Sequence, residues 1–200
     1  MKKTSPFLAL ICLATPSFAQ DWSGFYLGGA LSHDAITIQG EAPDPAIHPD
    51  GAGFGLFAGY NIQSGNMVFG AELAAAKHSG EATDGNYMQP ATTKHSLSLR
   101  GRIGFAAGKV MPYLALGATR TAWKADHNGS GFAADMADET ATGTSVALGI
   151  DWSLNDRSFL RLEVERTRYG QDLIIFDGGS DPHEYEMDAT RVSVGYAIRF

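Results

Sequence analysis

The chain is 200 residues long, 44% hydrophobic and carries a formal net charge of −7. That length suits one domain, the apolar content excludes a disordered chain, and the acidic balance excludes a nucleic-acid-binding protein, whose phosphate contacts need a cationic surface. Glycine accounts for 24 residues, well above the roughly 7% of average composition, as crowded strands and tight turns require, and this favours a β fold.

The first element is a predicted secretory signal peptide. Lys2 and Lys3 precede the apolar stretch PFLALICLA (6–14), and PSFA (16–19) places small residues Ser17 and Ala19 before a cut between Ala19 and Gln20. The expected division is therefore 1–19 signal peptide and 20–200 mature domain. The one cysteine, Cys12, lies in the leader. No later run reaches the roughly 18 apolar residues of a spanning helix, so a membrane-embedded mature chain has to cross with strands.

Eight segments of period-two alternation follow: 22–33, 52–61, 67–77, 95–106, 112–123, 142–154, 158–170 and 189–200. Most are near the roughly 9 to 11 residues of a tilted membrane-crossing strand. Short connections containing Gly, Asn or Asp (IQSGN, AGKV, NDR) alternate with long polar ones near 34–50, 78–94, 124–139 and 171–187. This pattern predicts an all-β fold: an eight-stranded antiparallel up-and-down transmembrane β-barrel with short periplasmic turns and four long extracellular loops. In SLSLRGRIGF (96–105), Leu97, Leu99, Ile103 and Phe105 share one face and Ser96, Ser98, Arg100, Arg102 and Gly104 the other. The final RVSVGYAIRF (191–200) alternates in the same way, whereas PYLALGATRTAW (112–123) can be read with either face inward.

Several of these segments carry a resemblance. WSGFYLGG (22–29), FGAEL (69–73), SLRGRIGFA (98–106), MPYLALG (111–117), ALGIDWSL (147–154), LRLEVERTRYG (160–170) and VGYAIRF (194–200) resemble, in that order, the outer-membrane-protein β-barrel domain family of small OmpA/OmpX-like barrels and immunogenic surface antigens. The resemblance implies residence in the bacterial outer membrane. It also implies that the terminal strand, with Tyr196, Ile198 and Phe200, is the signal read by the barrel-assembly machinery. No peptidoglycan-binding segment follows, so anchoring of that kind is not expected.

An inward face is expected for Glu72, Arg100, Arg102, Asp151, Arg161, Glu163, Glu165, Arg191 and Arg199, because an arginine facing lipid near mid-membrane costs about 2 to 4 kcal/mol. An eight-stranded barrel is only wide enough for its side chains to fill. These nearly balanced charges therefore predict a paired, structural lumen network and exclude a wide porin. The four long connections hold fifteen carboxylates against Lys94 and Lys124. All six histidines (His33, His48, His78, His95, His127, His183) fall in or beside them without the tight spacing of a metal motif. The apolar LIIF (173–176) is expected to extend a hairpin above the membrane.

The functional expectation is a structural and surface-interaction barrel with no catalytic, metal or cofactor site. Its partners are outer-membrane lipids and lipopolysaccharide, the assembly machinery and a possible host or surface ligand at the loops, with no nucleic acid. A narrow low-conductance pore is the alternative. A lipid A-modifying enzyme and a haem- or metal-binding surface protein are less favoured. His95 has no nucleophile on its own face, since Ser96 and Ser98 point away from it.

Overall fold

A strand that alternates strictly has one apolar and one polar face. Eight of them in a row leave two unpaired edges, which only closure of the sheet removes. The computed structural model describes residues 20–39, 50–79, 91–125, 138–170, 172–174 and 183–200. Its strands are β1 (Gly24–Gln39), β2 (Asp50–Ser64), β3 (Met67–His78), β4 (Ala91–Phe105), β5 (Val110–Ala125), β6 (Asp138–Asn155), β7 (Ser158–Tyr169), β8 (Asp172–Ile174) and β9 (His183–Arg199). Each barrel strand pairs antiparallel with the next, and β1 pairs with β9 from Tyr26↔Arg199 to Gln39↔Glu186, closing the ring. The barrel therefore has eight staves. β8 is a three-residue rung that pairs only with His183–Tyr185 of β9.

Three short turns join the strands at one end. Two of them use glycine in the left-handed region, Gly65 (φ 61°) and Gly108 (φ 64°), a conformation that a Cβ disfavours. The third closes without one, since the Asn155 side chain accepts a hydrogen bond from the Arg157 backbone N–H at 2.9 Å.

Toward the other end the strands run further than the alternation suggested. Residues 34–39, 91–94, 124–125, 138–141 and 183–188, expected in or beside loops, are strand. Once a strand leaves an apolar layer its outward residues become polar, so hydrophobic alternation fades while the backbone ladder continues. Leu173 and Ile174 of LIIF lie in β8 and pair with Glu184 and His183; Ile175 and Phe176 lie outside the described residues. So do the leader with Cys12 and Ala19, and His48 and His127.

The facing of β5 is settled: Met111, Tyr113, Ala115, Thr119 and Thr121 are buried inside the barrel, and Leu114, Leu116 and Arg120 point out. Thirty large hydrophobic side chains are exposed on the outer wall, far beyond the few hundred Å² of apolar patch a water-soluble monomer shows. Only an apolar solvent accommodates that wall. Near the turn end it is ringed by Phe25, Tyr60, Phe69, Phe105, Trp152, Tyr196 and Phe200, with Phe25 tilted against Tyr60 at 4.6 Å, the aromatic girdle of a membrane barrel. At the opposite edge of the band the outward positions turn basic: Lys77, Arg120, Arg166 and Arg168 are all exposed.

Leu148, 65% exposed at the middle of β6, tests the lipid-facing assignment. Leu148→Arg is expected to destabilise the barrel by about 2 to 4 kcal/mol, read as a lower urea midpoint in lipid vesicles. Arg120→Leu, at the polar edge, is expected to leave the midpoint nearly unchanged.

Candidate functional site

The lumen is built in three layers, each following from which residue types occupy the inward positions. At the turn end Trp22, Tyr26, Phe57, Val68, Met111 and Phe159 form an apolar base, with Trp22 and Tyr26 edge-on to Phe159 at 5.9 and 5.7 Å. Arg199 closes it from below. Its guanidinium lies 4.7 Å from the Trp22 ring and donates to the Asp21 carbonyl at 2.8 Å and to Ser153 Oγ and the Asn155 carbonyl at 3.1 Å.

The middle layer is a buried ion network. Glu72 sits opposite Arg100 in the β3–β4 register and accepts from Arg100, from Arg161 Nη1 at 2.5 Å and from Arg102 Nη1 at 3.5 Å. Asp151 is gripped by Arg161 through Nε at 2.8 Å and Nη2 at 3.1 Å, and by Arg102 Nη2 at 2.6 Å. Arg100 also bridges to Glu163 at 2.8 Å and to Glu165.

Two tyrosines thread the network. Tyr26 donates to Glu72 at 2.8 Å and accepts from Arg102 at 3.0 Å, while Tyr113 donates to Glu163 at 2.5 Å. The guanidinium of Arg102 lies 3.9 Å from the Tyr113 ring centre, and that of Arg161 lies 4.3 Å from Phe57, so even the planar faces of the charges are covered. The tyrosine rings lie over Gly59 and Gly149, where a Cβ would collide with Tyr26 and Tyr113 respectively.

The upper layer holds Asp34, His78, Ser96 and Arg191. His78 bonds Asp34 through Nδ1 at 2.8 Å and Ser96 through Nε2 at 2.9 Å. Arg191 donates from Nε to Asp34 at 2.5 Å and reaches Glu165 at 3.5 Å. Beside it Thr121 and Tyr169 share a hydrogen bond at 2.8 Å. A cavity of about 50 Å³ lies between the charged wall (Arg100, Arg161, Glu163, Glu165, Arg191) and a wall of small residues including Ala30, Gly55, Ala74 and Ala76. It has room for a few waters.

All nine charged residues expected inside point into the lumen, and the structure joins them through shared partners, except that Arg199 stands apart at the base. The sequence reading missed Asp34, which among the described residues brings the lumen to five carboxylates against five arginines, and also Tyr26, Tyr113 and His78; Ser96 was placed on the arginine face, but not its partner. Asp34 and His78 fall at the start of segments expected to be loops. Parity was the available signal, since Asp34 keeps step with Tyr26 and Ser32, and His78 with Glu72. Tyr196, Ile198 and Phe200 are exposed on the outer wall, and the Phe200 N–H donates to the Phe25 carbonyl at 2.9 Å. His33 and His95 face outward. Among the described residues no group of three or more His, Cys, Asp or Glu has the arrangement of a metal site.

Removing one member of a buried ion cluster strands its partners without solvent, at a cost of about 3 to 5 kcal/mol. Glu72→Ala leaves three arginines short of a carboxylate and is expected to lower the unfolding free energy by that amount, measured by urea titration of the refolded barrel.

Comparison with known proteins follows the same lines. The model of the outer membrane protein beta-barrel domain family matches residues 5–200. The 25 kDa outer-membrane immunogenic protein of Brucella abortus is 28% identical over 188 residues, covering 90% of this chain and 79% of the relative. The protein of the same name from Brucella ovis is 30% identical, covering 90% and 78%. The 22 kDa outer membrane protein of Rhizobium leguminosarum is 26% identical, covering 88% and 78%. Among solved structures, Neisserial surface protein A aligns with a TM-score of 0.53 at 17% identity, covering 89% of this chain and 98% of that one. Ail of Yersinia pestis aligns at 0.53 and 13%, covering 89% and 99%.

Proposed function

Since the chain belongs to the outer membrane protein beta-barrel domain family, whose matched relatives are outer-membrane proteins, we propose that it serves the bacterial outer membrane as a structural and surface-interaction barrel, not as an open pore. The observation that carries this reading is the filled lumen. Among the described residues an apolar base, an ion network and a hydrogen-bonded upper layer occupy the barrel in series, with a cavity of about 50 Å³ beside the network. The mature domain follows removal of the leader between Ala19 and Gln20, and the exposed terminal aromatic Phe200 is what the assembly machinery reads. None of this role requires a cofactor or a catalytic step.

The outer wall supports a lipopolysaccharide partner. Aliphatic outward positions give way to Lys77, Arg120, Arg166 and Arg168 at the edge away from the turns, where the phosphates of the outer leaflet lie. Asp188 pairs with Arg166 at 2.9 Å and approaches Arg168 at 3.8 Å, leaving the collar net positive. Juxtamembrane basic residues contribute about 1 kcal/mol each toward anionic lipid. The long connections, with fifteen carboxylates against two lysines, favour a cationic or neutral ligand. They disfavour a sulfated one such as the sucrose octasulfate bound by Ail.

A narrow pore is the second reading, favoured by the cavity beside Arg100 and Arg191. Planar-bilayer recording separates the two: the native barrel is expected to give no conductance steps, and discrete steps from it would establish the pore. Replacing Lys77, Arg120, Arg166 and Arg168 with Gln is expected to reduce co-purifying lipopolysaccharide severalfold, measured by phosphate and fatty-acid content.

A further inference from the structure

The upper lumen layer brings together three groups that lie on three different strands. Asp34 on β1, His78 on β3 and Ser96 on β4 are each buried, with Asp34 Oδ2 2.8 Å from His78 Nδ1 and His78 Nε2 2.9 Å from Ser96 Oγ. Nothing in the structural role requires that order of carboxylate, imidazole and hydroxyl, which is the order of an acyl-transfer triad recognised by geometry rather than by sequence position.

The tautomer is fixed by a fourth residue. Arg191 Nη2 lies 3.2 Å from His78 Nε2, and a guanidinium only donates, so Nε2 is the lone-pair atom and Nδ1 carries the proton toward Asp34. This is the form in which a histidine acts as general base toward a hydroxyl. Asp34 is itself held by Arg191 Nε at 2.5 Å and Ser32 Oγ at 3.1 Å. Among the described residues the other lumen serines have no histidine partner; Ser98 bonds Thr119, at 2.8 Å.

We propose that Ser96, His78 and Asp34 form a hydrolytic site for short acyl esters at the end of the lumen away from the turns. Ser96 Oγ attacks the ester carbonyl as its proton passes to His78 Nε2, and the carbonyl electron pair moves onto oxygen, facing the Arg191 guanidinium. Collapse expels the alcohol, which takes the proton from His78, and leaves Ser96 acylated. A water then attacks with His78 as base, releasing the carboxylic acid and returning the proton to Ser96. Ester and water give acid and alcohol. Arg191 also lines the cavity of about 50 Å³ whose other wall is Ala30, Ala74 and Ala76. Arg191 is the link between the three residues and that cavity, and a lumen this closely packed admits only a short acyl chain.

The test uses the full barrel refolded in detergent, its folded state checked by the gel shift on boiling, and a short-chain alkyl fluorophosphonate as probe. The expected result is a covalent adduct mapped to Ser96 by mass. It should be absent in Ser96→Ala, retained in Ser98→Ala and formed about 100-fold more slowly or worse in His78→Gln. p-Nitrophenyl acetate hydrolysis should fall in parallel. Absence of an adduct on the folded native barrel overturns the proposal, as does labelling at an unchanged rate in His78→Gln. If His78→Gln does not fold, the two serine variants decide: an adduct lost in Ser96→Ala and kept in Ser98→Ala supports the site, and labelling that persists in Ser96→Ala overturns it.

Discussion

The ladder between β1 and β9 is the constraint on which the rest of the molecule depends. Fourteen residue pairs, from Tyr26↔Arg199 to Gln39↔Glu186, join the two ends of the chain and remove the only edges the sheet would have. In a bilayer each unpaired backbone N–H or C=O costs several kcal/mol, because no water is there to satisfy it. Closure is therefore the condition for the thirty exposed hydrophobic side chains to face lipid at all. It also makes an inside, and the inside of an eight-stranded ring is narrow enough that its side chains must fill it.

What fills it follows from size and charge together. The base takes aromatic residues, the middle takes arginines and carboxylates, and glycines appear where tyrosine rings need space, as at Gly59 and Gly149. Burying so many charges is favourable only because the charges of the middle and upper layers are paired, most of them more than once. Glu72 meets three arginines, and Asp151 is gripped by two. An apolar filling of equal volume could be as stable, so the network is better understood as specifying which strand sits beside which than as adding net stability.

Much of this was legible in advance, and the reasons for the exceptions are physical. Strand number, outward face and the nine inward charges follow from period-two alternation, because lipid penalises any arginine that breaks it. The upper layer was not legible. Asp34 and His78 lie where β1 and β3 rise beyond the apolar band, and with the outward residues turning polar the contrast between faces that marks a strand disappears. The facing of β5 was ambiguous because Ala115, Gly117 and Ala118 are small enough for either side, and only the neighbouring register assigns Tyr113 inward. That His78 meets Ser96 depends on β3 pairing with β4, and no spacing within either segment reveals it.

Several partners in the ion network are far apart along the chain: Arg100 and Glu163 by 63 positions, Arg161 and Glu72 by 89, Arg191 and Asp34 by 157. Local hairpins form from neighbouring residues, but these charges find their counterparts only when distant strands face each other across the ring. A half-assembled sheet lying in the bilayer would present bare guanidinium groups to hydrocarbon. Stepwise insertion, one hairpin at a time, is therefore uphill until the last strand docks. The same residues that hold the finished barrel together make its entry into the membrane a concerted event, slow by virtue of high contact order and dependent on shelter for the polar face until closure.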